Sequence, residues 1–102
     1  MRECIVLQKG IRAGHLIEHE QNRRYEFKYL SEYQDFPVSL TLPIKEESYW
    51  FDTFPPFFDG LLPEGHQLDA LLRRLKIDRD DPFSQLVAIG SDTVGSVTVE
   101  EV

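Results

Sequence analysis

"SYWFDTFPPFFDGLLPEG", residues 48–65, gathers the only tryptophan of the chain with Phe51, Phe54, Phe57 and Phe58, three prolines and two glycines. A run so rich in proline and glycine reads as an irregular segment, neither a regular helix nor a regular strand. It therefore divides the chain into two regimes. Before it, apolar residues recur every second position; after it, every third or fourth.

Upstream, "CIVLQKGIRAGHLIE" reads as two strands joined by a tight turn at Lys9-Gly10. "EQNRR" is a second turn. In "RYEFKYL", Tyr25, Phe27 and Tyr29 share one face and Arg24, Glu26 and Lys28 the other, the pattern of a half-buried strand. "PVSLTLP" is expected to be a fourth strand, with Val38, Leu40 and Leu42 inward and a proline at each end.

Downstream, Leu68, Leu71, Leu72 and Leu75 form one stripe of an amphipathic helix, with Arg73, Arg74 and Lys76 at its C-terminal end. A second helix follows. Asp81 is its N-cap, Pro82 its first residue, Phe83, Leu86 and Val87 its apolar stripe, and Gly90 lies just past its end. "VGSVTVEEV" returns to alternation as a last strand, with Val97 and Val99 on one side. The expectation is one α+β domain over residues 1–102. It has a small antiparallel, partly barrel-like sheet of about five strands, with two short helices after an aromatic loop.

Composition narrows the function. The chain has 102 residues and a net charge of −7, enough for one core. Residues 1–30 carry six basic and four acidic side chains, and residues 31–102 carry five and fourteen. A surface of that sign repels phosphate backbones, so direct nucleic-acid binding is not expected, and a basic protein partner fits better. No apolar run is long enough for a membrane span. The start "MRECIVLQKG" is a poor signal peptide, and one cysteine rules out an internal disulfide; a cytoplasmic setting is the simplest reading.

The motifs of chemistry are missing. His15 and His19 lie four apart on a strand leading into a turn, where that spacing does not converge ligands, so no metal site is expected. Counting an EF-hand loop from Asp78 puts Phe83 and Ile89 where glycine and glutamate are needed. Cys4 sits in an apolar strand as a small hydrophobe rather than a nucleophile. Neither glycine-rich phosphate motif occurs. Glu64 beside His66 reads more simply as the start of a helix than as an acid–base pair. No catalytic residue, cofactor or enzymatic activity is expected.

The rings remain. Phe57, Phe58, Leu61 and Leu62 lie beside the first helix and read as core. Tyr49, Trp50, Phe51, Asp52 and Phe54 are claimed by no regular element and follow the polar run "KEES"; they are the candidate partner-binding residues. An exposed tryptophan in an acidic setting is the kind of anchor that dominates protein–protein contacts, and Pro55-Pro56 stiffens its support.

"FPVSLTLP", then "FPPFFDGLLPEG", then "DPFSQLVAIGSDTVGSVTV" resemble, in order and spacing, the N-terminal domain of HipA-type toxin kinases over about residues 3–100. Ser91 stands where that family often has arginine. The resemblance implies a detached, HipS-like version of this domain, as in tripartite HipBST toxin–antitoxin systems. It implies an antitoxin that binds and neutralises a HipT-like serine/threonine kinase toxin, with a HipB-like DNA-binding protein as a candidate third member of the complex. Two alternatives stay open: a non-inhibitory subunit that completes a split HipA-type kinase, and a small-molecule binding domain.

Overall fold

A computed structural model describes residues 1–93 and 95–102; Val94, within the stretch expected to lead into the last strand, lies outside the described residues. Among the described residues five strands, β1 (Arg2–Gln8), β2 (Ile11–Glu20), β3 (Arg24–Tyr29), β4 (Tyr49–Phe51) and β5 (Val97–Glu101), form one sheet in the order β4-β3-β2-β1-β5. Every neighbouring pair is antiparallel. Among the described residues three helices complete the α+β fold: α1 (Pro56–Asp59), α2 (Gly65–Leu75) and α3 (Pro82–Ile89).

The first three strands follow from local chemistry. Lys9 and Gly10 both take positive φ, 51° and 81°, the backbone of a hairpin turn whose twist matches its strands. Asn22, at φ 61°, makes the second turn. Shifts of register at Val6/Leu7 and between Glu18 and Glu20 mark bulges, which bend the sheet.

One face of the sheet builds the core. Cys4, Val6, Leu16, Tyr25, Phe27, Tyr29, Val97 and Val99 join Phe58 of α1 and Phe83 and Leu86 of α3 in a single buried cluster. Burial pushes the Cys4 thiol up to about 12, so it stays neutral and inert as expected. α3 begins as its sequence signals: Asp81 accepts from the Ser84 N–H at 3.2 Å, Pro82 follows, and Gly90 turns the chain away.

Arg2 ties this helix to the sheet. Its Nε donates to Glu18 Oε1 at 2.7 Å, its Nη2 to Asp81 Oδ1 at 2.9 Å and its Nη1 to the Ser84 hydroxyl at 2.8 Å. Glu18, 2% exposed, also receives the Tyr25 hydroxyl at 2.8 Å, so the buried carboxylate is fully engaged.

Three expectations are corrected. "PVSLTLP" is no strand of the sheet: it folds into a tight turn, with the Leu42 N–H bonded to the Ser39 carbonyl at 3.1 Å. Val38 and Leu42 are buried as expected, but Leu40 sits at the tip, 96% exposed. The fourth strand comes instead from the stretch read as irregular, where Tyr49–Phe51 pair with β3. The same stretch also holds α1, a single turn that precedes the two helices expected after it, so Phe57 and Phe58 belong to a helix. In α2 the stripe is only partly used: Leu71 and Leu72 are buried and Leu75 is 45% exposed.

Candidate functional site

The helices pack on the core face of the sheet, which leaves the opposite face open. Register assigns its residues. Glu3 pairs with Ile17, Ile17 with Glu26, and Glu26 with Trp50, so these four form one row across the outer face. Ile5, His15 and Lys28 form the next.

Trp50 ends its row at the edge strand. β4 alternates as a strand must: Tyr49 and Phe51 face Phe27 and Tyr25 and pack half-buried on the core, while Trp50 turns to the wet face. There the indole stacks on His19, with ring centroids 5.3 Å apart and planes at 27°. The Arg24 guanidinium lies 4.7 Å from its ring centroid. Trp50 is nevertheless 51% exposed. It is a large apolar surface held in one orientation by a ring and a cation, with half of it left to solvent.

Glu26 anchors this end. It accepts from the Ser48 hydroxyl and lies 2.8 Å from His19 Nε2. Burial works to raise its carboxyl, but the bonds to Ser48 and His19 outweigh burial and hold it below the ordinary range. His15 pairs in the same way with Glu3. The two histidines therefore have separate carboxylate partners. Among the described residues no three metal-ligating side chains come together.

The five sequence candidates separate by position. Trp50 and Asp52 face solvent. Tyr49 and Phe51 pack half-buried against the core, and Phe54 rests edge-on against Tyr25 with centroids 5.5 Å apart. The notion that Tyr49 to Phe54 belong to no regular element is thus corrected for the first three. His19 and Arg24, which position the indole, were missed as site residues. Their signal was present, since Arg24 was already on the wet face of β3; without β4 nothing placed Trp50 beside it.

A cleft of about 420 Å³ lies between β1, β5 and α3, lined by Arg2, Phe83, Ser84 and Val87. The donors of Arg2 are already taken by Glu18, Asp81 and Ser84, so the cleft offers an arriving ligand little. Glu64 and His66 are both exposed at the start of α2. Among the described residues, no helix is long and apolar enough to cross a membrane.

The chain is similar over nearly all its length to an uncharacterized protein of Haemophilus influenzae: 34% identity over 103 residues, covering 99% of this chain and 97% of that one. It is 30% identical over 73 residues to the putative kinase Y4mE of Sinorhizobium fredii, covering 72% of this chain but 17% of the kinase. Among solved structures, one described as the N-terminal domain of HipA toxin superposes with a TM-score of 0.75 at 28% identity. That match covers 100% of this chain and 93% of the other. The family model described as the HipA N-terminal domain matches residues 4–100. With the sheet, its helices and the braced turn spanned by that match, the chain belongs to the HipA N-terminal domain family.

Proposed function

We propose that this protein is a HipS-like antitoxin that binds a HipT-like serine/threonine kinase toxin in the cytoplasm and neutralises it by protein–protein contact. The observation that carries the proposal is Trp50: an indole on an edge strand, oriented by His19 and Arg24 and half open to solvent. Oriented aromatic anchors of this kind supply much of the affinity of an interface. Trp50 and Asp52 touch the kinase in this reading, while Tyr49, Phe51 and Phe54 hold the strand that presents them. A HipB-like DNA-binding protein is the proposed third member of the complex. The chain itself does no chemistry.

A second reading has its own support. In the Sinorhizobium relative the matching segment is a small part of a longer chain named as a putative kinase. The free domain would then complete a split kinase without inhibiting it.

Co-expression with the HipT-like kinase of the same genome separates the two. Restored growth supports neutralisation; unchanged or worsened toxicity supports the completing subunit. Trp50→Ala is expected to weaken kinase binding by about 2 kcal/mol, roughly thirtyfold, with its melting temperature close to that of the parent. Parent-like affinity of the variant, measured by calorimetric titration, would remove Trp50 from the interface.

A further inference from the structure

The loop between β3 and β4 exposes three large apolar side chains, Ile44 at 40% and two that are far more open. Leu40 is 96% exposed and Phe36 is 71% exposed. Here the backbone beneath them is held from several directions. The Tyr29 hydroxyl, buried in the core, accepts the Val38 N–H at 3.0 Å and donates to the Leu42 carbonyl at 2.5 Å, gripping both arms of the turn. The Tyr33 hydroxyl donates to the Phe36 carbonyl, and Gln8 Nε2 donates to the Pro37 carbonyl at 3.3 Å. At the tip, Ser39 Oγ accepts the Thr41 N–H at 3.1 Å. At the exit, the Tyr49 hydroxyl donates to the Pro43 carbonyl at 2.5 Å.

We infer that residues 36–44 are a second docking element, a preformed knob whose Leu40 and Phe36 enter an apolar socket rimmed by lysine or arginine on the kinase. The inference rests on the reading that a kinase is the partner. The rigid backbone removes the ordering cost of binding that a flexible loop would carry. Charge decides the rim. Glu32, Asp35, Glu46 and Glu47 flank the knob and are exposed, whereas Lys45, the one cation of residues 31–48, lies over the Tyr49 ring at 4.0 Å. The bond from Tyr49 to Pro43 joins the knob to β4, which also carries Trp50, so the two anchors share one support.

A second copy of this chain is the wrong occupant. The cleft beside α3 has an apolar wall of Phe83 and Val87, but Glu3 and Glu101 line it too. Acid would meet acid there, and although Arg73, Arg74 and Arg79 line other hollows around the C-terminal end of α2, two chains of net charge −7 repel each other.

The test uses Leu40→Asp in the full chain, with Leu75→Ser as a control for loss of an exposed leucine elsewhere. The binding partner is the purified HipT-like kinase. Leu40→Asp is expected to bind at least tenfold more weakly at unchanged melting temperature, and Leu75→Ser as the parent does. Parent-like affinity for Leu40→Asp, with Trp50→Ala still impaired, overturns the knob and leaves the antitoxin reading intact. A parent chain that binds no kinase overturns both. Sedimentation that shows the chain alone to be a dimer, dispersed by Leu40→Asp, overturns the choice of partner.

Discussion

At the scale of single residues, the sheet is least forgiving where two backbones come closest. Gly14 is buried in β2 opposite Tyr29. A Cβ built there would lie 2.5 Å from the Lys28 carbonyl oxygen and 3.1 Å from the Tyr29 Cα. Both are backbone atoms of the adjacent strand, so no side chain can swing aside. Gly14→Ala is expected to cost about 3 kcal/mol as strands are forced apart, lowering the melting temperature by on the order of 10–20 °C for a domain of this size. Gly10 provides the contrast. Nothing lies within 4 Å of its Cβ position, and only its φ of 81° resists substitution. Gly10→Ala should cost about 1 kcal/mol by left-handed strain alone. Thermal denaturation of the two variants checks the ordering, and equal losses would mean that the Gly14 contact relaxes.

At the scale of elements, the β3–β4 loop depends on one hydroxyl. Tyr29→Phe keeps the ring, its core packing and its stack on Tyr33, but leaves the Val38 N–H and Leu42 carbonyl without their partner. A loss of about 1–3 kcal/mol is expected, with the Val38 amide passing from protected to freely exchanging by hydrogen exchange. Protection equal to the parent would show that the turn holds without Tyr29. This loop is also where sequence reading misled. Val38, Leu40 and Leu42 alternate as a strand does, yet a tight turn with two inward anchors four residues apart produces the same spacing. Alternation fixes which residues are buried only when a neighbouring strand is known, and here β3 pairs with β4 instead. β4 failed to declare itself for the opposite reason. Three consecutive aromatics contain no polar position to reveal a period of two, and pairing with Glu26 alone tells which ring faces water. β1 to β3, α3 and β5 were legible because they carry their own punctuation: Lys9-Gly10, Asn22, Asp81-Pro82 and Gly90. The candidate site was legible as a composition, an aromatic run beside acids. The positions of Trp50 between Arg24 and His19, and of Leu40 at a turn tip, depend on contacts between segments distant in sequence.

At the scale of the whole molecule, the first strand is tied to the head of α3 by charge. Arg2, on the first strand, reaches Glu18 on the second and Asp81 at the head of α3, and its ring contact with Phe83 lies at 4.9 Å. The hydrogen bond it donates to Asp81 raises Arg2, so the cation persists at every pH the fold survives. The titrating partner is Asp81. Burial acts to raise it, but bonds from Arg2 and Ser84 prevail and hold it below its ordinary 3.8, as Glu26 is held below 4.5. A depressed carboxyl stabilises the fold above its unfolded value and loses that contribution as pH falls through its folded value. Stability should therefore decline with acidification below about pH 4.5. The alkaline side has the opposite sign. Cys4 and Tyr25 are raised by burial from 9.0 and 10.0, so the unfolded chain ionises first and stability falls as pH climbs beyond those values. Urea midpoints measured across pH should trace a plateau with a fall on each side. Asp81→Asn retains a side-chain oxygen able to cap α3 but cannot form the ion pair. Its midpoint is expected to be lower than the parent's at pH 7, with the gap closing as the parent's Asp81 protonates below pH 4. A gap that stays constant with pH would show that Asp81 acts through its cap alone, and that Arg2 closes the fold through Glu18.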